Sequence, residues 1–254
     1  MLFNSSCEDL IDVDLRSVDP ILVIDGSVRL DDVAEVLLTK TKSFSENNNY
    51  PPLTDAVVII TDDDGNREQL VSDATGRFKS TTLKGVERRT YTLSVSYAGE
   101  EYTASSFLPP TVKLDSLTQY QFPVMDYPDP MVHFKDPVGK ENQYYRFVMK
   151  INGETRDLRE RLISTEFMDG NYVHTPVFVR YEDYDDDDDD PIQQGDVVTV
   201  EMRCIDEATH KFFSTLSAID DALANPTTNI KGGALGYFGA YSYSSLDIKM
   251  EWEE

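Results

Sequence analysis

The chain has 254 residues, enough for two domains of ordinary size. Apolar residues make up 40 % of it, which excludes a disordered chain, and a net charge of −24 repels nucleic-acid phosphates and anionic lipid surfaces. Two cysteines, Cys7 and Cys204, are too few for a disulfide framework or a multi-cysteine zinc site, and no stretch approaches the ~20 apolar residues of a membrane-spanning helix.

In chain order, residues 1–17 read as an N-terminal tether. Ser5 and Ser6 stand before Cys7, and Glu8 and Asp9 follow it. Small residues before a cysteine resemble the end of a bacterial lipoprotein signal, in which the cysteine is acylated. The bland reading of Cys7 is a surface thiol in a frayed terminus.

Residues 18–110 carry many short strand patterns separated by turn signals, the signature of a β-sandwich of immunoglobulin-like or transthyretin-like type. Strands are expected at 21–24, 34–41, 56–61, 90–97 and 101–107, with a polar loop at 45–52. Residues 90–97 are the clearest, because Tyr91, Leu93, Val95 and Tyr97 alternate with polar residues. Asp62-Asp63-Asp64-Gly65-Asn66 and residues 73–76 read as hairpin turns. The three aspartates invite a calcium reading, but strands flank them and the downstream glutamate of a calcium loop is absent, so a solvated turn is expected.

Residues 111–254 form a second β domain, opening on a linker at 111–115. Strands are expected at 119–124, 131–134, 142–151 and 197–205, with Asn152-Gly153 as a hairpin turn. Cys204 falls on the buried face of 197–205 and reads as a core thiol. Residues 157–163 fit a strand or a helical turn. Asp185, Asp186, Asp187, Asp188, Asp189 and Asp190 form an acidic run that repels itself and resists regular structure. The run reads as an exposed loop tip or as a site for calcium or another hard cation. A helix is expected at 207–223, with Phe212, Leu216, Ile219 and Leu223 as its apolar stripe, and Asn225-Pro226 ending it. A closing strand carries Leu246, Ile248, Met250 and Trp252. A curved sheet or barrel-like domain with one helix fits this order.

The least generic stretch is 225–241, where Gly232, Gly233, Gly236 and Gly239 lie among Leu235, Tyr237, Phe238 and Tyr241. It reads as a tight, well-packed turn, with Tyr237, Phe238 and Tyr241 as candidate ligand or partner contacts.

Several of these residues together resemble the Bacteroidetes outer-membrane lipoproteins grouped as domain of unknown function 4249. The resemblance rests on residues 7–15 and 21–26, on 56–59, 62–66, 90–93 and 102–106, and most specifically on Asn229-Ile230-Lys231-Gly232-Gly233-Ala234-Leu235-Gly236-Tyr237-Phe238-Gly239-Ala240. It implies an accessory lipoprotein of a TonB-dependent transporter, anchored by lipid to the outer membrane, at the cell surface or periplasmic face. It implies no catalytic residues.

The residues themselves declare no reaction. His133, His174 and His210 are scattered, with no metal-ligand spacing to another histidine or a cysteine, and His210 is expected to be exposed. There is no Gly-x-Ser-x-Gly elbow and no phosphate loop. The expected role is therefore a binding or accessory lipoprotein that takes a small-molecule, peptide or glycan ligand, with no cofactor unless the acidic run holds calcium. The alternative is an adhesion or structural surface module contacting proteins or glycans. A hydrolase with an unrecognised site is a third reading, since β folds host many functions.

Overall fold

The computed structural model describes residues 19–42, 52–123, 127–139, 143–155, 161–177, 192–217 and 225–252. The first unit contains β1 (Leu22–Arg29), β2 (Val33–Lys40), β3 (Val57–Asp62), β4 (Arg67–Gln69), β5 (Val71–Ser72), β6 (Arg77–Lys84), β7 (Thr90–Tyr97) and β8 (Glu100–Phe107). A four-stranded sheet in the order β4-β3-β7-β8 packs on the sheet that contains β1, β2, β6 and β5. The period-two alternation directs Ile24, Val36, Leu38, Val58, Ile60, Tyr91, Leu93 and Val95 into one core between them. Positive φ at Gly65 (89°) and Gly76 (78°) closes the two expected turns. The first of these turns differs from a solvated one. Asp62 is buried, bonded by Asn66 and paired with Arg89, which also pairs Asp64.

The second unit contains β9 (Ser116–Tyr120), β10 (Asp129–Lys135), β11 (Tyr144–Ile151), β12 (Glu154–Thr155), β13 (Arg161–Ser164), β14 (Tyr172–Pro176) and β15 (Val197–Ile205), then α1 (Glu207–Leu216) and β16 (Leu235–Lys249). A three-stranded sheet, β14-β10-β9, faces β11, β15 and the end of β16 across a second core of Phe134, Tyr145, Phe147, Val200, Met202 and Cys204. Among the described residues these sheets stay open and close no barrel. Cys204 is a buried free thiol. The pattern expected at 119–124 begins earlier, at Ser116, and β14 was not expected at all.

The feature that organises the molecule is β16. Its 15 residues, about 50 Å of extended chain, pair parallel with β1 over 235–241 and antiparallel with β15 over 242–249. One nine-stranded sheet thereby backs both cores. The division near residue 110 separates the cores but not the sheet, because Ile230, Ala234, Phe238 and Ala240 return to the first core. The glycine-rich stretch is therefore a turn only at Gly232 and Gly233. Gly236 and Gly239 lie inside the strand.

Helix α1 is capped by Asp206, whose carboxylate accepts from Thr209 N (2.8 Å) and from Ser106 Oγ (2.6 Å). Ser106 Oγ in turn accepts from Ala240 N (2.8 Å), which ties helix, β8 and β16 together in the interior. The buried residues of the helix are Thr209, Phe212 and Phe213, so of the expected stripe Phe212 is buried as expected. Leu216 is exposed, and Ile219 and Leu223 lie outside the described residues. Phe212 and Phe213 both pack on the Tyr237 ring, which seats the helix with Phe213 inward in place of Leu216.

Candidate functional site

Because β16 alternates, its two faces have different fates. Phe238, Ala240 and Ser242 point to the cores. Tyr237, Tyr241 and Tyr243 point to the opposite face of the great sheet. This corrects the expectation for Phe238: it is fully buried and is a packing residue, not a contact residue. Tyr237 and Tyr241 do share one surface.

The register brings cations to those rings from both sides. Arg203 on β15 is opposite Tyr243 and Arg146 on β11 is opposite Arg203. Arg29 on β1 is opposite Tyr241, and Asp25 is opposite Tyr237. The guanidinium of Arg29 lies 3.8 Å from the Tyr243 ring centre, that of Arg203 lies 4.7 Å from Tyr241, and that of Arg146 lies 3.7 Å from Phe213. Such contacts are worth about 0.5–2 kcal/mol each, more where water is excluded. Glu201, nearly buried, is shared by Arg29 (3.1 Å) and Arg203 (2.6 Å). Toward the sheet edge, Glu35 pairs with Arg77 and Lys79. Five cationic side chains thus surround the tyrosines against three carboxylates, in a chain that is otherwise strongly acidic.

Helix α1 roofs one end of the row. Phe212 stacks on Tyr237 (4.8 Å, 26°) and Phe213 meets the same ring edge-on (4.8 Å, 66°). Gly239 lies under Thr209, where a Cβ would come within 2.9 Å of Thr209 Oγ1. Beneath this roof the Tyr237 hydroxyl donates to Asp25 and accepts from Arg146. Loss of water raises Tyr237, with Asp25 adding to the effect, so the phenol stays protonated. Burial holds Arg146 down to about 10, still charged at neutral pH. Asp25 remains open to solvent at its edge. Even so, the protein around it removes enough water to raise its carboxyl above the usual range, against the Tyr237 bond and Arg146. Tyr241, raised by burial and opposed by Arg203 and Arg29, lies beyond the helix with Tyr243. The Nε of Arg29 is buried without a hydrogen-bond partner among the described residues.

This arrangement can hold a partner by stacking and by charge-assisted hydrogen bonds. The tyrosines were visible in the sequence. The arginines were missed because Arg29, Arg146 and Arg203 come from three distant strands. The only available signal was their place on the polar phase of alternating runs.

A second concavity, a cleft of about 660 Å³, lies where the two units meet, with Arg88, Lys113, Asp115 and Lys135 in its wall. His133 and His174, expected to be scattered, are brought together across β10 and β14. His210 is half-buried and packs on Tyr144 at 4.9 Å, not exposed as expected. Cys7 and the run 185–190 lie outside the described residues, and among those described no three metal-binding side chains gather. No helix among them is long and apolar enough to cross a membrane.

No curated protein matches the chain. Among solved structures it is similar to the FN1–FN3 domains of chicken CNTN1, at 10 % identity and a TM-score of 0.28, over 92 % of this chain and 66 % of that one. That likeness is too distant to bear on function. A family model, Domain of unknown function (DUF4249), matches residues 8–247, nearly the whole length, and the chain belongs to that family.

Proposed function

We propose that the protein is a cell-surface binding or accessory lipoprotein of the outer membrane, anchored through Cys7, which works beside a TonB-dependent transporter in nutrient capture. In this reading the outer face of the great sheet receives the partner. The observation that carries it is the array of Arg29, Arg146 and Arg203 among Tyr237, Tyr241 and Tyr243. Aromatic and arginine side chains concentrate at the centres of binding interfaces. A monomer with no partner for this face gains little from keeping three guanidinium groups half-desolvated on a sheet surface. A partner segment rich in carboxylates or carbonyl oxygens suits that chemistry.

The test is affinity purification of the full-length protein from detergent-solubilised outer membranes, with mass spectrometry of what accompanies it. A transporter recovered in stoichiometric amount, and lost with Arg203→Ala, is the expected result. An empty purification from intact membranes overturns the accessory role and favours an adhesive module, to be followed on glycan and matrix-protein arrays.

A further inference from the structure

The three-stranded sheet β14-β10-β9 carries a feature independent of the arginine–tyrosine face. His133 and His174 are direct cross-strand partners in the β10–β14 register, so both side chains rise from the same face of the sheet. Their Nδ1 atoms converge to 2.6 Å. The second nitrogen of His133, Nε2, is bonded to Thr118 Oγ1 (2.7 Å) on β9. The ring of His174 is stacked on Tyr172 (5.0 Å, 28°), whose hydroxyl is bonded to the Asp115 carboxylate. His174 is exposed and His133 half-exposed, so the pair is open to solutes. Asp115 also lines the inter-unit cleft, as does Lys135, two residues from His133 on the same face. The pair therefore stands at the cleft rim.

We propose that His133 and His174 form a two-imidazole chelate for a divalent transition ion of the zinc–copper–nickel class, with water completing its coordination. Imidazole nitrogen suits those ions, whereas calcium and magnesium demand oxygen. Two nitrogens about 2.0–2.1 Å from one zinc ion in tetrahedral array lie roughly 3.3 Å apart. The observed pair opens by less than about 1 Å, a side-chain adjustment, to admit the ion between the Nδ1 atoms. Binding requires both Nδ1 atoms to be free of protons, which places each remaining proton on Nε2. Thr118 Oγ1 is in position to accept from His133 Nε2–H, the outer contact that fixes a ligand's tautomer. Each histidine is held by a neighbour outside the pair, so two ring planes are set before any ion arrives.

The test is a titration of the full chain with zinc at pH 7.5 in excess magnesium, added to compete at all-carboxylate sites, read by calorimetry and by the histidine ring signals in NMR. One zinc per chain binds, and both His133 and His174 ring signals shift. His133→Gln or His174→Gln abolishes that uptake with the far-UV circular dichroism unchanged, and Thr118→Val weakens it about tenfold. Uptake that persists in the double His133→Gln/His174→Gln variant, no uptake above the magnesium background, or a pair that only shares a proton with unmoved ring signals would each overturn the proposal. The proposal does not depend on the transporter reading, and its failure would leave that reading standing.

Discussion

The two faces of β16 come from the same fifteen residues and answer to different physics. On one face Phe238 and Ala240 are fully buried, and their value is shape and volume. On the other, Tyr237, Tyr241 and Tyr243 are large apolar bodies with polar tips, set among guanidinium groups and left partly open. Glycine divides the labour. Gly236 lets β16 lie against the backbone of β1, while Gly239 makes room for the helix on the outer side. The core face builds the scaffold, and the outer face carries the residues through which we propose a partner is held.

The largest effect is expected where the strand itself is set. At Gly236 φ is +92°, and a Cβ would lie 2.0 Å from the carbonyl oxygen of Ile24. Gly236→Ala must therefore separate β1 from β16, and soluble folded protein is not recovered. Gly233, at φ +90° but with open space around it, is the control, and Gly233→Ala costs about 1 kcal/mol in denaturant unfolding. Next, Phe238→Ala empties a fully buried site and lowers stability by about 3–5 kcal/mol. Tyr241→Ala, three residues on, costs about 1 kcal/mol yet removes partner capture. If the two substitutions cost the same, the contrast between the faces fails.

Tyr237→Phe has an intermediate effect. It deletes the hydroxyl that links Asp25 and Arg146 under the helix and costs about 1–3 kcal/mol, measured by urea unfolding. The smallest effect lies far from β16. Glu68 accepts from Thr81, Thr82 and Leu83, and although its slight burial opposes the shift, those bonds hold its carboxyl down to about 2 from an ordinary 4.5. A depressed carboxylate contributes stability above its unfolded value and loses it as pH falls through the folded one. The difference between wild type and Glu68→Gln is thus full above pH ~4.5 and fades toward pH ~2 in an acid titration of stability.

Alternation made much of the fold legible. Residues 90–97 and 197–205 became β7 and β15 with the expected bounds, because one buried face leaves a period-two trace that needs no partner to be read. The long reach of β16 was not legible. Gly236 and Gly239 look like turn residues until the strand beside them is known, and the contact that requires each comes from Ile24 or Thr209, far away in sequence. Asn229 shows the same limit. It looks like part of a loop, but its side chain bonds both the N–H and the carbonyl of Phe238, holding β16 as a neighbouring strand would. Of the site, Tyr237 and Tyr241 could be picked from the stretch that holds them. Phe238 groups with them in sequence because a turn, unlike a strand, does not send it to the opposite face. The histidine pair was hidden for the same reason as the arginines: β14 was not expected, so nothing placed His174 beside His133.

The central claim is that the outer face of the great sheet is where the protein is held by its partner. The most direct measurement is photo-crosslinking in intact cells, with a photoreactive side chain at Tyr241 and, as control, at Val71, which is 62 % exposed on β5 at the far edge of the same sheet. The account predicts a discrete adduct with an outer-membrane protein from position 241 and none from 71. An adduct from 71 alone, or a partner that co-purifies while 241 stays uncrosslinked, would contradict it.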